Sequence, residues 1–125
     1  MKAPPPKESK DQEAFVRLLQ QPGILSPHWR YTHIASGEKR DKATAAKLKR
    51  MGVTPGVPDF IFFHDTGAVF WLELKRRGSL KASPAQKEVH AFLRQGGNFF
   101  MTDDINDAVI ELRAIGILRA VTIMA

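Results

Sequence analysis

The stretch GVPDFIFFHDTGAVFWLELKRRGSLKASPAQ, residues 56–86, decides the architecture. Two apolar runs, at 58–63 and 69–75, flank the link HDTGA, whose length suits closure of an antiparallel hairpin. Side chains alternate between the two faces of a strand, so Phe70, Leu72 and Leu74 share one face while Val69, Trp71, Glu73 and Lys75 share the other. Closing the hairpin sets Phe60 and Phe62 beside Phe70 and Leu72 on an all-apolar surface, and it sets Asp59 directly opposite Glu73. A slip of one residue would move Asp59 to the other face but would also separate those aromatic and aliphatic side chains. The pattern therefore favours the two acids meeting.

Opposed residues in such a pair have Cβ atoms about 4.5 to 5.5 Å apart, and like charges facing each other there are destabilising. Three things could offset the repulsion: a proton shared between the acids, the ammonium of Lys75, or a bound cation that needs two carboxylates. Pro58 fits the first position of a strand, and Gly56 permits tight backbone approach. Ile61, Phe63, Val69 and Trp71 are apolar too, so only the end bearing Asp59, Glu73 and Lys75 is charged. This layout predicts a sheet covered on both sides with a charged notch at one end. Two carboxylates at this spacing suit magnesium or manganese, hard ions with oxygen ligands. Lys75 is then placed to orient a water or to meet negative charge developing on a phosphate. The competing reading is a surface ion-pair cluster, each pair contributing about 0 to 1 kcal/mol. The apolar context of FIFF and VFWLEL argues against an ordinary exposed face.

A length of 125 residues predicts one domain able to bury a core, and 43% hydrophobic with 26% charged residues is a globular composition. The absence of cysteine excludes disulfides, thiolate metal sites and cysteine nucleophiles, so any metal must sit on oxygen or imidazole. A formal charge of +6 favours polyanions such as nucleic acid. With no apolar run of membrane-spanning length and no apolar leader, the chain reads as intracellular and away from membranes.

Outside the hairpin, residues 1–8, MKAPPPKE, read as a flexible arm ahead of a single domain over 9–125. Ser9 and Gln12 fit a capping box that opens a helix with Phe15, Leu18 and Leu19 on its apolar face, ended by QPG at 21–23. WRYTHIAS, 29–36, reads as a strand. A basic helix over about 40–51 carries Thr44, Leu48 and Met51 on one side. Ser83, Pro84 and Gln86 open a further helix by a second capping box, with Ala85, Val89, Phe92, Leu93 and Gly96 along one side. NFFMT, 98–102, reads as a short buried strand, and 103–115 as a helix with Ile105, Ala108, Val109 and Leu112 inward; ILRAVTIMA, 117–125, suits either a final strand or a helix extension.

The motif P-D-x13-E-x-K, preceded by LKRMGVTPG and followed by SPAQ, resembles the PD-(D/E)xK nuclease superfamily and, within it, the virus-type replication-repair nuclease (VRR-NUC) family, over about Gln12 to Gly97. The resemblance implies an α/β, restriction-endonuclease-like fold, a mixed central sheet flanked by helices. It implies Asp59 and Glu73 as metal ligands with the Leu74 carbonyl, Lys75 as the catalytic lysine, Glu13 as the first-helix acid completing the cluster, and Gln86 as a residue beside the site. From the residues alone, Gln86 already has a task in its capping box. The resemblance further implies a Mg2+ or Mn2+ cofactor, a homodimer, and action on branched DNA such as four-way junctions or flaps. His33 and Arg40 match places where the family carries polar residues near nucleic acid.

Basic residues then acquire a use as phosphate contacts: Arg40, Lys47, Lys49 and Arg50 on the basic helix, and Arg76, Arg77, Lys81 and Lys87 around the notch. A non-catalytic DNA-binding module of the same fold is the competing reading. A hydrolase built on His28, His33, His64 and His90 is weaker, because their spacing matches no ligand motif such as H-E-x-x-H.

Overall fold

The hairpin forms in the register its alternation requires. In the computed structural model, which describes residues 8–34 and 42–120, Phe60 pairs with Leu72, Ile61 with Trp71, Phe62 with Phe70 and Phe63 with Val69. The elements run α1 (Glu8–Leu19), β1 (Trp29–His33), α2 (Lys42–Arg50), β2 (Phe60–His64), β3 (Val69–Leu74), α3 (Pro84–Arg94), β4 (Phe99–Thr102) and α4 (Ile105–Ile115). The sheet order is β1-β2-β3-β4, with β1 and β3 antiparallel to β2 and β4 parallel to β3. Parallel pairing needs a crossover, and α3 supplies it. The result is a mixed sheet flanked by helices.

One face of the sheet is fully packed. Phe60, Phe62, Phe70, Leu72 and Leu74 bury against Phe15 and Leu19 of α1 and Ala108, Val109 and Leu112 of α4, with Ile117 and Leu118 closing the end. Phe15 meets Phe60 edge-on at 5.3 Å between ring centroids, a favoured aromatic arrangement. The other face is only partly covered, contrary to the expectation from its apolar residues: Ile61, Val69 and Trp71 are half-buried and Phe63 is exposed. Here α3 lies beside Trp71 and the charged end and against β4, while Phe63 at the other end stays exposed.

Helix boundaries depart from expectation where the termination signal lies in packing. Helix α1 already starts at Glu8, so Ser9 falls inside it rather than ahead of it. Among the described residues none of α2 is buried and Met51 is 70% exposed, so Leu48 and Met51 are not drawn into the core as their spacing suggested. On α3 only His90 is buried, while Phe92 points outward at 72% exposure. Helix α4 begins two residues later than expected, capped by Asp104, and stops at Gly116 in the left-handed conformation. After it Leu118 forms an antiparallel bridge to Leu25, and the helix does not extend through 117–120; the remainder of 117–125 lies outside the described residues. The arm at 1–7, Lys39, Arg40 and the last five residues lie outside the described residues. Among the described residues no helix is long and apolar enough to cross a membrane.

Gly56 joins the loop before β2 to the start of α3. Its φ is +89°, and a Cβ there would lie 2.5 Å from the Ala85 carbonyl carbon and oxygen. Gly56→Ala should therefore lower unfolding stability by more than the roughly 1–3 kcal/mol of an unfavourable dihedral alone. Gly67→Ala, at φ +95° in open space, isolates the dihedral part. Equal losses for the two variants in urea unfolding would show that the approach to α3 carries no energy.

Candidate active site

The β2–β3 ladder stops one residue short of Asp59, and side chains finish it. The Asp59 amide donates to Glu73 Oε2 at 3.2 Å, while the Leu74 amide donates to Asp59 Oδ2 at 3.1 Å. Each acid thus holds the backbone of the strand opposite, and the two meet at the ribbon's end as the register requires. Asp59 is 6% exposed, Glu73 1% and Lys75 8%. The Asp59 carbonyl receives the Ile34 amide at 2.6 Å and His33 Nδ1 at 2.9 Å, which makes Nδ1 the protonated nitrogen of that ring. On the far edge of β3 the Lys75 amide donates to the Thr102 carbonyl at 2.8 Å, so the segment bearing the charges is held from both sides.

Helix α3 completes the notch. Ser83 and Gln86 form the expected capping box, Gln86 N–H to Ser83 Oγ at 3.1 Å and Ser83 N–H to Gln86 Oε1 at 2.9 Å. The same Oε1 accepts from Lys75 Nζ at 2.8 Å, and Gln86 Nε2 donates to Glu73 Oε1 at 3.5 Å. Capping and contact with the charged cluster are therefore one arrangement rather than alternatives. Lys75 Nζ lies 3.5 Å from Glu73 Oε1, and a buried ion pair of this kind depends on such added hydrogen bonds to offset desolvation.

Two buried polar side chains escape a reading of linear motifs. His90, one turn beyond Gln86, is 1% exposed with Nε2 at 3.9 Å from Glu73 Oε2, too long for a hydrogen bond and without another partner. Burial, then the positive charges of Lys75 and Arg94, push its pKa from 6.5 down to about 4, so the ring is neutral at pH 7. The i, i+4 spacing from Gln86 was the signal available in the sequence. The second is Asp11. Glu13, the acid expected from α1, is exposed beside Gln12, Val16 and Arg17 and is not brought to Asp59 and Glu73. Asp11 instead heads the buried stripe that continues through Phe15 and Leu19; its Oδ2 is buried without a partner and its Oδ1 lies 3.7 Å from Arg77.

Among the described residues no three His, Asp or Glu side chains gather as a cation site. Asp59 and Glu73 remain as a two-carboxylate donor set. A strand residue's C=O leaves on the same edge as its N–H, which puts the Leu74 carbonyl on the Asp59 side. That set fits magnesium, which is held by one or two carboxylates and keeps several waters. The four histidines do not converge: His28 and His64 lie at the opposite end of the hairpin, their Nδ1 atoms 2.6 and 3.2 Å from the Asp65 carboxylate.

Lys47, Lys49, Arg50, Arg76, Arg77, Lys81 and Lys87 are all exposed. Lys81 and Lys87, with Arg94 and His90, line a groove of about 630 Å3 on one flank of α3.

In a comparison with solved structures, the chain is similar to a protein described as "VRR_NUC domain protein", with a TM-score of 0.62 and 24% identity over 90% of this chain and 89% of that one. No protein-family model and no curated protein matches the sequence. The fold is thus VRR-NUC-like, the restriction-endonuclease-like mixed sheet expected from the motif.

Two measurements probe this arrangement. Ser83→Ala should lose about 1 kcal/mol of stability as a missing cap. Gln86→Ala should lose more, because it also removes a hydrogen-bond partner of buried Lys75, at about 1–3 kcal/mol; a smaller loss than for Ser83→Ala would leave the lysine contact without weight. For His90, the unfolded chain takes up a proton near pH 6.5 while the fold resists it down to about 4. The contribution is complete above pH 6.5 and is lost as pH falls toward 4. In EDTA, the urea midpoint of the wild type should drop across that window more steeply than that of His90→Gln; parallel curves would reject the assignment.

Proposed function

We propose that the protein is a Mg2+- or Mn2+-dependent deoxyribonuclease that hydrolyses phosphodiester bonds, selective for branched DNA such as four-way junctions or flaps. The observation that carries this reading is the burial of Asp59, Glu73 and Lys75 together at one end of the hairpin. An ordinary ion-pair cluster has no need to force two acids into opposition beneath a helix. The VRR-NUC-like fold supports the same reading.

In this mechanism Asp59 and Glu73, with the Leu74 carbonyl, would hold the cation. When bound, the cation supplies a water of lowered pKa and stabilises charge on the attacked phosphate. Lys75 presents its ammonium to the attacking water or to the developing negative charge. Gln86 fixes where Nζ points, and neutral His90 sets no second positive charge against Glu73. Lys81, Lys87, Arg76 and Arg77 hold the DNA backbone near the notch, and Lys47, Lys49 and Arg50 extend that contact. A homodimer would present two such sites to two strands.

One observation favours a second reading. Both Glu73 oxygens already have hydrogen-bonding or charged neighbours, as in an acid whose task is to close the ladder. On that reading the protein binds DNA without cutting it.

With Mg2+, the purified protein should cut labelled four-way or flap DNA. Asp59→Ala and Lys75→Ala should each reduce cutting roughly a hundredfold or more, the usual scale for loss of one charge-stabilising group. Salt-sensitive binding with no cleavage in either metal would establish the binding-module reading, and cutting that persists in both variants would remove the assigned site.

A further inference from the structure

The two flanks of α3 differ in chemistry. Opposite the basic groove lies an apolar one of about 510 Å3, within the range of roughly 300–1,000 Å3 usual for sites that bury small organic groups. Trp71 lines it between Pro55 and Val57 on one side and Val89 and Phe92 on the other. Trp71 is half-buried, while the Phe92 ring is 72% exposed on an otherwise well-formed helix.

The residues that line the groove adjoin those of the charged notch along the chain. Trp71 shares a sheet face with Glu73, two residues away, and Val57 precedes Asp59 by two. Ala85, also in the lining, immediately precedes Gln86. A nucleotide whose phosphate sits at the notch therefore has this apolar groove on one side and, on the other, the basic groove that His90 lines beside Glu73. The charge of the apolar groove excludes a further phosphate, because the lining includes the carboxylate of Glu88 and no basic side chain. That carboxylate and the Thr54 hydroxyl are instead suited to the polar edge of a heterocycle, Glu88 as an acceptor for an exocyclic amino group.

We propose that this groove receives an unpaired nucleobase of the substrate strand, on a nucleotide next to the phosphate that is to be cut at the Asp59–Glu73 notch; the proposal rests on the nuclease reading above. Every base offers a π face, so stacking on Trp71 or Phe92 is tolerant of sequence. In a duplex those faces are already stacked on their neighbours. The groove thus selects for branch points, where a base is free to leave the stack, and backbone phosphates fall on the Lys81, Lys87 and Arg94 flank.

The test uses the full chain carrying Trp29→Phe, which leaves Trp71 as the one tryptophan of the two, in EDTA so that no strand is cut. The probes are a flap duplex, a fully paired duplex of equal length, and a flap series with one abasic nucleotide stepped across the branch. Flap binding should quench Trp71 emission. Adding Phe92→Ala should weaken flap binding about 5- to 150-fold, the scale of one base stacked on an aromatic side chain, with duplex binding unchanged. One abasic position should abolish both the quenching and the Phe92 effect. Equal weakening of flap and duplex, or indifference to every abasic position, overturns the proposal. So does conversion of a dimer to a monomer by Phe92→Ala in sedimentation, which would make a second copy the occupant. Mg2+-dependent cutting with Phe92→Ala fully neutral rejects the groove and keeps the nuclease, whereas no binding to any DNA in EDTA together with no cutting of any DNA in Mg2+ rejects both.

Discussion

Everything at this site depends on the exchange between Asp59 and Glu73, in which each carboxylate takes an amide from the opposite strand. A β-ladder normally ends by fraying into water. Here it ends under a helix, where an unmatched amide would be costly, so the acids are both the end-caps of the ribbon and its only concentrated negative charge. The same geometry explains why they can be buried at all. Carboxylates that accept several hydrogen bonds tolerate low exposure, and Lys75 adds opposite charge within reach of Glu73.

Around that pair the chain is assembled by contacts that each join two segments. The Asp59 carbonyl ties the end of β1 to the start of β2. Gly56 presses the preceding loop against the first turn of α3, and Gln86, on that same turn, reaches Lys75. The positions of the acids, the lysine and the glutamine are therefore set by the backbone of four segments.

The hairpin and its register were legible because alternation is a strong constraint: a shifted pairing would put Asp59 among Phe60's neighbours. The α3 cap was legible as well, since Ser83, Pro84 and Gln86 act through bonds only a few residues apart. What escaped depends on distant chain. Periodicity groups Leu48 with Met51, or Val89 with Phe92, but does not say whether another element arrives to cover them, and among the described residues Met51 and Phe92 stay exposed. Asp11 escaped because a carboxylate in the stripe of Phe15 and Leu19 contradicts the rule by which an apolar face is found. His90 escaped because its importance comes from Glu73, seventeen positions earlier on another element.

One oxygen atom, Gln86 Oε1, carries two obligations, closing the first turn of α3 and receiving the lysine ammonium. Such sharing couples traits that protein engineers usually adjust independently. A replacement chosen to strengthen the helix start alters how the ammonium is held, and one chosen to retune the ammonium unravels the helix start. Durability and the placement of the lysine charge cannot be optimised separately at this position.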